Sequence, residues 1–331
     1  MIGIFDSGAG GLTVYKELLK ALPKESYVYV ADTAHCPYGP KSKEYITRRA
    51  KKISEYLISK GAQIIVVACN TATAAAIHTL RQSFDIPFIG MEPAVKPATL
   101  LTKSGVIGVL ATKGTLKGEL YLNTSEKFAR SKEIKIIEII GTGLVEAVEA
   151  GNLNTPETKG LLKKYITPMA EQNADCIVLG CTHYPFLEDT IKEVVNEVTG
   201  KENSMQIINP APAVAKRAKE VLDSLNNNNC NCDKSSSKNC SNNCDNSSSY
   251  NNCDNSSSNN NCDKSSSNNC DNNCNNNCSN NCSNNNAETD TPAATHTIIS
   301  TASDTTALKR LTQIVCPKTF RKNQKYLSLQ L

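Results

Sequence analysis

Two stretches of the chain share one layout, and together they constrain the fold more than any other feature. "AQIIVVACNTATA" runs from Ala62 to Ala74, and "DCIVLGCTHYP" runs from Asp175 to Pro185. In each, an apolar run of strand length ends in a cysteine, and hydrogen-bonding residues follow at once. Such runs read as fully buried strands, the kind found where helices cover both faces of a parallel sheet. Parallel neighbours need a crossover, so helical patterns should separate the runs.

They do. "MIGIFD", "SYVYVAD" and "PFIGM" read as further strands. "LTVYKELLKALP" has apolar residues at helical spacing and stops at Pro23. "KEYITRRAKKISEYLISKG" sets Ile46, Ala50, Ile53 and Leu57 on one face, with Gly61 placed as a helix stop. "TATAAAIHTLRQSF" predicts a helix capped by Asn70 or Thr71. A second series runs through "SGVIGVLAT", "EIKIIEII", a helix ending at Gly151, "DCIVLGC" and "MQIINP". "APAVAKRAKEVLDSL" is a further helix and "THTIIST" a last strand. The expectation is an α/β protein of two lobes with mostly parallel sheets, related by an imperfect internal duplication. "MEPAVKPA", Met91 to Ala98, is the expected crossing, stiffened by two prolines. Ligands bind beyond the carboxyl ends of strands in such sheets, and Cys69 and Cys181 both sit there. If the lobes face each other, both thiols enter one cleft.

Residues 226–286 break the pattern. This tract of Asn, Ser, Cys, Asp and Lys lacks Ala, Val, Ile, Leu, Met and Phe, so nothing in it offsets chain entropy, and disorder is expected. Ten of the fifteen cysteines fall here, with Cys244, Cys253 and Cys262 evenly spaced, which suggests an expanded repeat. Thiolates suit zinc and copper, but the paired spacing of zinc sites is missing.

The net charge of +4 is too small and scattered to indicate a nucleic-acid partner. No apolar run approaches the roughly 20 residues that span a bilayer. "MIGIFDSGAGG" lacks the charged lead and long apolar stretch of a secretory signal, so a cytoplasmic, thiol-reducing location is expected.

A lone cysteine ending a strand is usually a small buried hydrophobe. Two of them, each beside a predicted helix start where N–H groups favour negative charge, read instead as activated thiols. A disulfide between them is the competing explanation, disfavoured in a reducing compartment. His183 is either a hydrogen-bonded wall of the cleft or a proton relay and charge partner for Cys181. "FDSGAGGL" does not fit a phosphate loop, because position 13 is Thr and no Gly-Lys-Ser/Thr follows. It reads as a tight turn, with Asp6 and Ser7 either capping a helix or facing a substrate ammonium. "CPYGPKS", Cys36 to Ser42, has turn composition, and Tyr38 and Gly39 could offer a hydroxyl and an N–H to a carboxylate.

Opposed thiols suit inversion of a stereocentre, which needs a base on one face and an acid on the other. A carbon acid next to a carboxylate is very weak, so fixed donors must stabilise an enolate-like dianion. Asn70, Thr71, Thr182 and helix-start amides are the candidates.

The ordered set "IGIFDSGAGGLTV", "ADTAHCPYGPKS", "VACNTATA", "GMEPAVKPA" and "LGCTHYP" resembles the glutamate racemases of bacterial cell-wall synthesis, over about residues 1–225 and more faintly 296–315. The resemblance implies interconversion of L- and D-glutamate with no cofactor and no metal, the D-form going into peptidoglycan. It implies catalytic roles for Cys69 and Cys181, with Asp6 assisting the first and His183 the second. Glu149 would support the histidine, although Glu146 stands close by. Asp6, Ser7, Tyr38, Gly39, Asn70, Thr71, Thr182 and His183 would hold substrate. The implied fold is two pseudo-symmetric three-layer α/β lobes with the active site between them. The first lobe takes residues 1–91, 206–225 and 287–331, the second 92–205, and 226–286 is an insertion. Glutamate is the implied partner, without nucleic acid or membrane, and a homodimer is left open. An aspartate-type racemase or a single-thiol decarboxylase on the same fold is the alternative within enzymes; two thiols disfavour the decarboxylase. A metal-binding or interaction protein acting through the Cys-rich tract is the alternative outside them.

Overall fold

The alternation becomes two parallel sheets. The computed structural model describes residues 1–129, 133–229, 294–316 and 324–329. The first lobe opens with β1 (Ile2–Asp6), α1 (Leu12–Ala21), β2 (Tyr27–Ala31), α2 (Lys43–Ser59), β3 (Ile64–Val67), α3 (Asn70–Ser83) and β4 (Phe88–Gly90). The second holds α4 (Val95–Leu101), β5 (Val106–Ala111), α5 (Lys113–Leu116), α6 (Glu119–Phe128), β6 (Lys135–Ile140), α7 (Leu144–Glu149), α8 (Pro156–Glu171), β7 (Cys176–Gly180), α9 (Glu188–Thr199) and β8 (Gln206–Ile208). The chain then returns through α10 (Ala211–Asn229), β9 (His296–Ser300), α11 (Thr306–Val315) and β10 (Gln324–Ser328).

The strand orders are β10-β9-β2-β1-β3-β4 and β6-β5-β7-β8, and every pairing is parallel. Four strands of each sheet repeat one order: β2-β1-β3-β4 matches β6-β5-β7-β8. The predicted duplication is thus topological. In each lobe the winding reverses between the first and third strands, which opens a crevice at their carboxyl ends. The residues there are Asp6 at the end of β1, Ser7 just beyond it, Cys69 after β3, and Cys181 after β7.

Each sheet is covered on both faces. In the first lobe α1, α10 and α11 pack together on one side, and α2 and α3 on the other. Ile46, Ala50, Ile53 and Leu57 are buried on α2, and Gly61 has φ +89°, the left-handed conformation of a helix stop. β1, β3 and β7 are buried at every position, as central parallel strands must be. Full burial of one such aliphatic side chain contributes about 1.5–3 kcal/mol.

Several boundaries differ from expectation. β8 pairs with β7, so residues 206–208 belong to the second sheet, not the first lobe. The return to the first lobe begins with α10. Of "MEPAVKPA", only the residues before Val95 cross over; Pro97 lies in the first turn of α4, where its missing N–H has no intrahelical partner to lose. Beyond the expected strand at "THTIIST", the C-terminal segment supplies α11 and the edge strand β10, parallel to β9. Residues 226–229 continue α10. The rest of the tract, with the expected disorder and repeat, lies outside the described residues, as do 287–293 of the expected first lobe. Among the described residues, no helix is long and apolar enough to cross a membrane.

Candidate active site

The two thiols occupy equivalent places in the duplication but are held differently. Cys69 is itself the N-cap of α3, in extended conformation, and its Sγ accepts the Ala72 N–H at 3.4 Å. The cap expected at Asn70 or Thr71 therefore falls one or two residues earlier. β3 ends so close to α3 that the cysteine must serve both elements. Its thiol also reaches the Ser7 hydroxyl at 3.8 Å. Burial pushes the Cys69 thiol far up, and the charges of Asp6 and Cys181 push the same way, while the Ala72 and Ser7 contacts oppose them. The residue after Cys181 meets the same end of β1, the Thr182 hydroxyl donating to Asp6 Oδ1 at 3.2 Å, next to the Ser7 that Cys69 reaches. Both remain thiols, with no disulfide.

Cys181 follows β7, but no α-helix starts there. A 3-10 turn, Tyr184–Leu187, intervenes before α9, and Pro185 occupies its start. The expected helix-start amides are replaced by a cation. His183 Nδ1 lies 3.7 Å from Cys181 Sγ, and its Nε2 is 2.6 Å from Glu149 Oε1. Burial alone would hold the imidazole neutral. Hydrogen bonds to Cys181, Cys36 and Glu149 outweigh it and raise the His183 pKa well above the usual range. Glu149 moves the opposite way: burial pushes it up, but the hydrogen bond and charge of His183 and the Ala9 N–H bring it below the ordinary carboxylate value. An imidazolium–carboxylate pair results, paired as a buried charge must be.

Glu149, not Glu146, takes this position. It ends α7, with side-chain exposure of 17%, while Glu146 is exposed. The glycine turn after β1 makes room for the pair. A Cβ on Gly8 would lie 2.1 Å from Glu149 Oε1, and one on Gly10 would lie 2.3 Å from His183 Nδ1. "SGAGG" is a tight turn because two side chains of the other lobe approach its backbone.

Asp6 is fully buried and accepts the Gly8 N–H at 2.9 Å and the Thr182 hydroxyl at 3.2 Å, across the lobes. Burial raises its carboxyl above the ordinary range against the pull of His183 and of the Gly8 N–H. Thr13, which the sequence does not single out, donates to the Thr182 carbonyl at 3.1 Å. Asn70 is buried, with its amide nitrogen 3.5 Å from the Met91 carbonyl. Its Oδ1 is buried without a hydrogen-bond partner, an arrangement that is costly unless a ligand donates to it.

Two expected contacts are redirected. The Tyr38 hydroxyl donates to Asp32 Oδ2 at 2.5 Å, so its proton is not available to a ligand carboxylate. Asp32 is the missed residue: Arg49 grips it with Nε at 3.0 Å and Nη2 at 2.7 Å, and His35 is 3.0 Å away. Removing one partner from such a buried pair costs about 3–5 kcal/mol. This network braces the loop that carries Gly39. A buried aspartate following a strand, in "ADTAHCPYG", was the available signal. Thr71 turns to Thr112 of the second lobe at 2.8 Å, closing the seam with its hydroxyl.

Two cavities open along the seam. One of about 400 Å³ is bordered by Gly39, Thr71 and Gly114, with Lys41, Lys43, Lys113 and Lys117 at its walls. Another of about 260 Å³ lies between Gly39, Thr112 and Gly141. Neither includes the thiols, which are 5% and 7% exposed. The lobes are closed over the sulfurs, so a ligand could reach them only if the seam parted.

Fold and site together define a two-lobed, internally duplicated α/β protein with acid–base groups converging from both halves. The chain belongs to the Asp/Glu/hydantoin racemase family, which its residues 2–218 match. The match stops short of the Asn/Ser/Cys-rich tract. A glutamate racemase of Stutzerimonas stutzeri is 45% identical over 222 residues, 67% of this chain and 81% of the relative. A glutamate racemase isoform from Bacillus anthracis superposes with a TM-score of 0.66 at 25% identity, over 100% of this chain and 98% of that one. The Escherichia coli glutamate racemase, solved with L-glutamate and the activator UDP-MurNAc-ala, gives 0.60 at 35% identity over 67% and 82%.

Proposed function

We propose that the protein is a glutamate racemase that inverts the α-carbon by two-thiol proton transfer, supplying D-glutamate for cell-wall synthesis. The observation that carries this reading is the placement of Cys69 and Cys181 after the equivalent strands β3 and β7, each beside its own tuning groups. The family and its 45%-identical relative support glutamate as substrate.

In this mechanism one thiolate takes the α-proton from one face, and the opposite thiol returns a proton to the other. The sulfur that began as base ends as acid, and the reverse reaction exchanges the roles. At rest burial keeps Cys69 protonated. A substrate ammonium between Asp6 and Asn70 Oδ1 would offset the Asp6 charge and lower the thiol's pKa where the base is needed. First-turn amides of α3 would stabilise the enolate-like transition state, since they have no intrahelical acceptor. His183, held as a cation by Glu149, stands 3.7 Å from Cys181 Sγ and can exchange a proton with it. Closure over the sulfurs excludes water and strengthens each of these interactions. The reaction needs reduced thiols, which supports a cytoplasmic location.

The test is incubation of the full chain with either enantiomer in heavy water without added cofactor. Circular dichroism should decay toward zero from both directions while NMR follows α-deuterium entry. Retention of optical activity with L- and D-glutamate alike would refute the reading; inversion of aspartate in its place would move the substrate, not the mechanism.

A further inference from the structure

Among the described residues, Cys36, Glu149 and His183 form the one group of three potential metal ligands whose donor atoms lie within 4.8 Å of one another. Cys36 comes from the loop after β2, Glu149 from the end of α7 and His183 from the turn after β7, so the group spans both lobes. Cys36 Sγ is 3.9 Å from Glu149 Oε1, and His183 Nε2 is 2.6 Å from the same oxygen. The set is one thiol, one imidazole and one carboxylate, a mixture that matches a tetrahedral zinc ion with one open position.

Zinc–ligand lengths of about 2.0–2.3 Å put neighbouring ligands about 3.3–3.7 Å apart. The sulfur–oxygen separation of 3.9 Å must close by about 0.2–0.6 Å. The imidazole–carboxylate contact must open by about 0.7 Å, a side-chain adjustment in a partly exposed group. Gly8 leaves the space, since a Cβ there would sit 2.1 Å from the oxygen and 3.1 Å from the sulfur. The Ala9 N–H, 2.7 Å from Glu149 Oε1, orients the carboxylate as an outer partner.

We infer that Cys36, Glu149 and His183 form a zinc site across the lobes, and that filling it blocks the Cys181 side of the reaction. Zinc displaces two protons to solvent, one from the Cys36 thiol and one from His183 Nε2, and takes the sulfur and nitrogen lone pairs so freed. The imidazole then keeps its remaining proton on Nδ1, facing Cys181, and can no longer cycle between cation and base. Glu149 is drawn from the histidine to the metal, and the ion ties the lobes across the seam that must part for substrate. The block rests on the proposed role of His183, whereas the site itself does not.

The experiment uses the full chain in buffers of fixed free zinc, so that thiols of the Cys-rich tract cannot deplete the metal. Alkylation of Cys36 by iodoacetamide, read by peptide mass spectrometry, should slow with zinc in the native protein and recover with a chelator. Zinc should give no such protection in Glu149→Gln or in His183→Asn; either folded variant suffices. Racemisation should be inhibited reversibly over the same zinc range, and Cys36→Ser should need about tenfold more free zinc or higher for half-inhibition. Unprotected Cys36, or equal zinc sensitivity in Cys36→Ser, overturns the proposal. The labelling result stands even if the chain fails to racemise glutamate, so failure of the site and failure of the functional reading are separable.

Discussion

The Cys69 end and the Cys181 end of the cleft descend from the same position in a duplicated lobe, yet their thiols are tuned by different physics. Cys69 caps a 14-residue helix and is served by backbone and hydroxyl dipoles, with the Asp6 carboxyl nearby. Cys181 has a 3-10 turn after it and a buried His183–Glu149 pair beside it. One sulfur has helix-start and hydroxyl dipoles and a buried carboxyl beside it, the other a histidine–glutamate pair of its own lobe. In the proposed mechanism the duplication preserves where a proton is delivered, and local sequence sets what surrounds each thiol. A substrate approached from two faces needs the first to be symmetric, but not the second.

The largest expected effect breaks the pairing itself. Cys69→Ala and Cys181→Ala should each lower racemisation by about 10²–10⁴-fold or more. The sharper readout is α-deuterium exchange without inversion: each variant should retain it for one enantiomer, and the two should retain opposite ones. Equal residual exchange of both enantiomers by both variants would mean that the sulfurs do not divide the faces.

Next is the titrating partner. Glu149→Gln should cost about 10–100-fold in kcat, because it acts through His183, not on substrate. The His183 pKa is raised in the folded protein, so its stabilising contribution is complete below about 6.5 and lost as pH rises through the folded value. The Glu149 pKa is lowered, so its contribution is present above about 4.3 and lost as pH falls through the folded value. The stability gap between native protein and Glu149→Gln in urea should therefore be widest between these limits. Removing the carboxylate lowers the imidazole pKa, so the alkaline limb of kcat/KM should move to lower pH. Glu146→Gln should leave that limb in place; movement there instead would reverse the assignment.

The smallest effect concerns residues 230–286. Replacing them with a short Gly/Ser linker should leave kcat and KM within about twofold, since loop length costs little and the chain re-enters at the amino end of β9, whereas both thiols follow carboxyl ends of strands. A folded replacement with a large activity loss would give the tract a role in the site.

Much of this was legible in the chain. Buried strands announced themselves as short apolar runs, and α2 was set by Ile46, Ala50, Ile53 and Leu57 at helical spacing. The thiols stood out because each closes such a run, and the ordered motifs carried the family. The last strand was not legible: β10 has no buried position and lies at a sheet edge, where no second layer enforces a buried run.

Periodicity, turn chemistry and the places where apolar runs stop are local properties, and they were enough to put Cys69 and Cys181 beyond buried strands. The choice of Glu149 over its neighbour, the capture of the Tyr38 proton by Asp32, the transfer of β8 to the second sheet and the meeting of Cys36 with His183 came from packing between distant segments. Such contacts depend on which surfaces the lobes present to each other at a few ångströms, and no spacing along the chain encodes that distance.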